Sequence, residues 1–147
     1  MTTSIPHTFR DATDGDKAFV HDSWLKSARL LGSYIWAPPS LYTPSLRAAI
    51  TWWLPALQIE CAVNPEDETQ VIGWAARAAD VTHYVYVKHP WRQAGLGRAI
   101  FERGKVTAYT HHPRVNIPWL RGAYRPDLFW SDDAVAYMIR VRKGREA

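Results

Sequence analysis

Arg92, Gly95 and Gly97 stand at the spacing Arg-x-x-Gly-x-Gly in the hexapeptide Arg92-Gln93-Ala94-Gly95-Leu96-Gly97. Two glycines let a backbone pass close to a ligand. The first turn of a helix that follows has amide N–H groups with no intrahelical acceptor. Those amides, with the positive end of the helix dipole, form an anion site that needs no metal. The chemistry this points to is phosphate binding. The spacing is neither the dinucleotide fingerprint Gly-x-Gly-x-x-Gly nor a nucleotide loop ending in Gly-Lys-Ser/Thr. Upstream of the turn, His83 sits in a run of β-branched and aromatic residues and titrates near neutrality, so it has the chemistry of a general base.

The neighbouring elements must hold this turn in place. Thr82 to Lys88 reads as a strand with His83, Val85 and Val87 on one face and Tyr84, Tyr86 and Lys88 on the other. Gln70 to Arg77, with Gly73 inside it, and Gln58 to Val63 read as two earlier strands joined by an acidic turn, Asn64 to Thr69. Arg98 to Lys105 reads as a helix closed by Gly104, and Val106 to Thr110 as the next strand. Before them come an edge strand over Ile5 to Arg10 and a helix capped at Thr13 or Asp14. That helix carries Phe19, Val20, Trp24, Ala28 and Leu31 to a stop at Gly32. Ser33 to Tyr42 is a proline- and aromatic-rich loop, a candidate acceptor-side lid, and Thr43-Pro44 opens a second helix that runs to about Leu54-Pro55. After Thr110 the pattern gives a loop at His111-His112-Pro113-Arg114, a short helix over Pro118 to Ala123 and an extended piece from Asp127 to Trp130. The last element, from Ser131, fits a capped helix and an alternating strand equally.

With 147 residues, 47% hydrophobic and 22% charged, the chain reads as one folded domain over 1–147. It has no run of about 18 apolar residues that would suit a membrane span. No secretory pattern opens it, and its single cysteine, Cys61, suits a reducing compartment, so a cytoplasmic location is expected. The net charge of +4 suits anionic partners, phosphate ligands and nucleic acid alike. Eight tryptophans suit a core, a substrate cleft or a base-stacking surface. His111 and His112 are adjacent rather than four apart on a helix, so no metal site is expected.

The order strand, hairpin, strand, glycine turn, helix, strand from Gln58 to Thr110 resembles the core of the GCN5-related N-acetyltransferase (GNAT) family, with Arg92 to Gly97 resembling its acyl-CoA pyrophosphate loop. The resemblance implies an α/β (α+β) fold: a mixed, mostly antiparallel sheet with splayed central strands and flanking helices. It implies that the amides of Gln93, Ala94, Gly95, Leu96, Gly97 and Arg98 hold a pyrophosphate, that Arg92 and Arg98 add charge, and that the backbone of Tyr86, Val87 and Lys88 pairs with the pantetheine arm. Acetyl-CoA or another acyl-CoA is then the expected cofactor. The same likeness places a proton donor for the leaving thiolate at Tyr124, with Tyr109 in reserve, and an oxyanion-stabilising N–H at a bend near Val87.

A narrower resemblance joins Ser23-Trp-Leu-Lys-Ser27, Tyr86-Val-Lys88, Tyr109-Thr-His111 and Tyr124-Arg-Pro-Asp-Leu128 to small GNAT-like proteins of tailed bacteriophages, among them the Mom enzymes that modify adenine in DNA. After Tyr109 the chain departs from the wider family pattern. Three functions follow. The first is an acyl-CoA-dependent N-acyltransferase whose acceptor is a small molecule, a protein or DNA. The second is a phage-type DNA-modifying enzyme, with Trp36, Trp119 and Trp130 holding an extruded base and Arg114, Arg121 and Arg125 on phosphates. The third is an inactive binding protein on the same fold.

Overall fold

The computed structural model describes residues 5–28, 39–92, 95–104, 106–110, 120, 122–125 and 129, with the side chains of 39–42 outside that set. Gln93, Ala94, residues 33–38 of the aromatic loop, His111, His112, Arg114, Trp36, Trp119, Arg121, Trp130 and the final element lie outside the described residues.

Among the described residues six strands form one sheet whose spatial order follows the chain: β1 (Thr8–Asp11), β2 (Gln58–Asn64), β3 (Asp67–Ala78), β4 (Val81–Val87), β5 (Ala108–Tyr109) and β6 (Ala123–Tyr124). The pairs from β1 to β4 are antiparallel, while β4–β5 and β5–β6 are parallel. The expected mixed and mostly antiparallel sheet is therefore present, with helices α1 (Lys17–Ala28), α2 (Pro39–Trp53) and α3 (Leu96–Phe101) around it. No helix among the described residues is long and apolar enough to cross a membrane.

Each face of the sheet is apolar, and each has its own cover. Val20, Trp24 and Ala28 of α1 and Leu46 and Ile50 of α2 pack with Ile59, Cys61, Val63, Trp74 and Tyr84, all buried. Leu96 and Ile100 of α3 pack on the other face with Ala62, Ile72 and Ala75, and Val85, Val87 and Trp91 border them. Trp24 and Trp74 are fully buried, so two of the tryptophans are core, whereas Trp52 is 72% exposed. Their polar atoms are satisfied from α1: the Trp74 indole N–H donates to Ser23 Oγ at 2.9 Å, and Ser27 Oγ lies 2.7 Å from the Tyr84 hydroxyl.

Several boundaries differ from the expected ones for local reasons. Asp14–Asp16 forms a 3-10 turn before α1 with Thr13 at its N-cap, and Asp16 completes a capping box by accepting from the Thr13 N–H at 2.7 Å. Helix α2 begins at Pro39 rather than at Thr43-Pro44. Proline fits a first helical position because its missing N–H is unused there, and Pro39 fills that place while Pro44 falls inside the helix. Helix α3 starts at Leu96 and ends at Phe101, earlier than the expected Arg98 to Lys105. Gly104 is needed less for that end than for its neighbour, since a Cβ there would meet Arg77 Nε at 2.6 Å.

Gly73 explains how closely β3, β4 and α3 meet. A Cβ at this position would lie 2.7 Å from the Tyr86 carbonyl oxygen and 2.8 Å from Ile100 Cδ1. Buried Arg77 of β3 fixes the other end of α3, donating to the Ile100 carbonyl and to Glu60 Oε1 at 3.3 Å. A cation at a helix C-terminus is electrostatically favoured. Glu60 also holds Arg103 through two bonds of 2.9 Å, and Arg103 covers the Phe9 ring at 4.1 Å.

Candidate functional site

Among the described residues the pairing of β4 with β5 is short. These strands pair only at Val81↔Ala108 and Thr82↔Tyr109, and the Thr110 N–H adds a bond of 3.3 Å to the Thr82 carbonyl. Beyond that point no described strand residue pairs with β4 on this side. The Lys88 N–H donates to the Ile72 carbonyl at 2.9 Å, on the β3 side. A peptide's C=O points opposite to its N–H, so the Val87 carbonyl faces the β5 side. By the same alternation the backbone groups of Val85 and Val87 line this edge, while those of Tyr86 pair with Trp74. The edge groups thus belong to Val85 and Val87, not to Tyr86 and Lys88.

The glycine turn follows beyond the end of β4. Gly95 adopts φ 83°, ψ 1° as the residue before α3, a left-handed conformation that suits glycine. At Gly97 no described residue demands glycine, because among them a Cβ would meet only Val87 Cγ2 at an ordinary 3.6 Å. Leu96 is 1% exposed and anchors the turn to the core between these two glycines. Arg92 bends back over β4: its Nε donates to the Val87 carbonyl at 2.8 Å, and its guanidinium lies 5.7 Å from the Tyr86 ring centre. Arg98 pairs along its own helix with Glu102 at 2.9 Å. The Lys88 ammonium is held over the Phe19 ring at 5.6 Å.

Where β4 and β5 pair, the structure gathers the three side chains singled out for chemistry. Tyr109 is opposite Thr82, next to His83, and Tyr124 is opposite Tyr109 with the two rings stacked at 5.8 Å. They stand on different faces. The pairing of β3 with β4 shifts register at Ala76/Arg77, where Ala76 faces Tyr84 and Arg77 faces Thr82, so His83 is the extra residue of a β-bulge. The bulge turns His83 onto the Tyr84 face rather than the Val85 face that simple alternation predicts. It also places the irregularity of β4 at His83 and not near Val87, where the register is regular.

His83 is 2% exposed, between the rings of Trp53 at 5.0 Å and Phe129 at 5.6 Å. Its Nδ1 lies 3.1 Å from Thr110 Oγ1. Burial lowers its pKa from 6.5 to about 4, so the ring is neutral at pH 7. Thr110 meets His83 on the α1–α2 face, whereas Tyr124 and Tyr109 are in register with Thr82 and, through it, with Arg77 on the α3 face. Thr110, Trp53 and Phe129 were not singled out from the sequence. A one-residue bulge leaves no mark in a strand that is apolar on both faces. Cys61 is buried, and burial pushes its thiol up to about 11, which fits a core residue and not a nucleophile. Among the described residues no three His, Cys, Asp or Glu side chains come together as a metal site.

No protein-family model matches the chain. No curated protein matches it either. Solved structures do. The apo form of YjaB from Escherichia coli superposes with a TM-score of 0.53 at 18% identity over 67% of this chain and 64% of that one. A GCN5-related N-acetyltransferase from Rhodopseudomonas palustris gives 0.50 at 15% identity, over 70% of this chain and 65% of that one. The chain thus spans a little under two thirds of the length of these proteins. At such low identity the likeness speaks for the fold, and the chain has a GNAT-like α+β fold.

Proposed function

We propose that the protein is one acyl-CoA-binding domain that transfers an acyl group to an amine. The single observation that carries this reading is the β4 edge at Val85 and Val87, where no described strand pairs and only Arg92 Nε reaches the Val87 carbonyl, followed after the 3-10 turn His89–Trp91 by the glycines Gly95 and Gly97. An extended amide-bearing chain pairs with such an edge as an added strand does. The residues fit the group: among the described residues Gly97 has space beside it, and the turn amides from Gly95 onward, with Arg92, suit a diphosphate. Bound acyl-CoA would supply an acyl carbon activated as a thioester.

The chain's own residues then divide the proton work. His83, neutral at pH 7 and 2% exposed, takes the proton of the attacking amine through a relay that reaches its ring rather than by direct contact. Tyr124, across the sheet, holds a proton at its hydroxyl for the departing thiolate, with Tyr109 beside it. Base and acid on opposite faces of one sheet suit a reaction in which acceptor and leaving group approach from opposite sides.

Thermal unfolding with acetyl-CoA and with CoA tests the reading, because a ligand that binds only the folded state raises the transition temperature. A rise at millimolar ligand that disappears in Gly97→Glu is expected, since the introduced carboxylate stands where a phosphate would lie. No rise in the parent protein would overturn it. If binding holds, incubation with acetyl-CoA and amines, peptides or DNA, followed by mass spectrometry, identifies the acceptor class.

A further inference from the structure

Thr110 makes two hydrogen bonds to one residue, and together they determine where His83 carries its proton. Thr110 Oγ1 lies 3.2 Å from the His83 carbonyl oxygen and 3.1 Å from His83 Nδ1. A carbonyl only accepts, and a hydroxyl has one proton to donate. With the Thr110 proton given to the carbonyl, Nδ1 donates its own N–H to Oγ1. We infer that Thr110 is a positioning residue that holds His83 in the Nδ1–H tautomer, leaving the Nε2 lone pair as the proton acceptor beside the β4–β5 pairing.

The surroundings favour this arrangement. Thr110 is 0% exposed and His83 2%, so bulk water does not compete for the pair. Trp53 and Phe129 flank the ring, and the Trp53 indole is itself fixed by donating to the Phe129 carbonyl at 2.9 Å. The bulge supplies the remaining condition, because it brings the carbonyl and the ring of one residue to the same hydroxyl. The described groups that face His83 carry no formal charge: Trp53 from α2, Phe129, Thr110 after β5, and Tyr84, whose phenol burial keeps protonated.

This inference rests on the proposed acyl transfer only for its use, not for its geometry, and two measurements separate them. Nitrogen-15 NMR of the histidine rings at pH 7 reads the tautomer directly, with His83→Gln assigning the signal. A protonated Nδ1 and a bare Nε2 are expected. Thr110→Val should lose that state and Thr110→Ser should keep it. A protonated Nε2 in the parent protein, or a tautomer unchanged in Thr110→Val, would overturn the inference whether or not the protein is an enzyme. Where acyl transfer is measurable, Thr110→Val should lower kcat at least tenfold with the KM for acyl-CoA unchanged, and Thr110→Ser should restore it. Parent protein that binds acyl-CoA, shows the expected tautomer and transfers nothing would sink the functional reading alone.

Discussion

Tyr124 and His83 occupy opposite faces of the sheet where β4 and β5 pair, and each has a distinct test. If the Tyr124 hydroxyl protonates the thiolate, Tyr124→Phe lowers turnover by about a hundredfold while leaving acyl-CoA affinity nearly unchanged. Full activity would move that role to Tyr109, which stacks on it at 5.8 Å. The turn at Gly95 was legible in the sequence because a left-handed residue before a helix favours glycine. The surroundings of His83 were not legible. Its partners Trp53, Thr110 and Phe129 come from three distant parts of the chain, and only the fold brings them together.

At the scale of elements, α3 has six residues and cannot place itself by helical propensity alone. Arg77 and Gly73 hold it. Arg77 is buried and donates to both Ile100 and Glu60, so Arg77→Ala leaves a carbonyl and part of a carboxylate uncompensated and should cost about 3 kcal/mol. Arg103 reaches the same Glu60 from a side chain 44% exposed, and Arg103→Ala should cost less than about 1 kcal/mol. Urea unfolding of the two variants measures the contrast, and equal losses would show that burial is not what distinguishes them.

The strands β2 to β4 could be read from composition, since β-branched and aromatic runs with an acidic turn between them have few other solutions. The start of α2 could not, because Pro39 and Pro44 both satisfy the rule for a first helical position and only packing chooses between them. The short parallel strands β5 and β6 were only half visible, two residues being too few for any periodicity.

Across the whole molecule, acid should act in two stages. His83 has a folded-state pKa of about 4 against an ordinary 6.5, so the unfolded chain takes up this proton first and stability falls as pH drops from about 6.5 to 4. The loss amounts to about 3 kcal/mol. Asp16 is held at about 2 from an ordinary 3.8, chiefly by the Arg10 guanidinium at 2.6 Å, so its share, about 2 kcal/mol, is lost between about pH 4 and 2. Chemical unfolding at a series of pH values should show both steps. His83→Gln should remove the upper one and leave the lower.

The parallel seam between β4 and β5 also sets an order of events in folding. β2, β3 and β4 are joined by tight antiparallel turns, so their contacts close short loops and form early. β5 must wait for the chain to cross over through α3, and β1 must return to β2 from some fifty residues away. Since the His83–Thr110 contact needs β5 in place, it forms only after the β2–β4 body. The β2–β4 body of the sheet is therefore built before its working end.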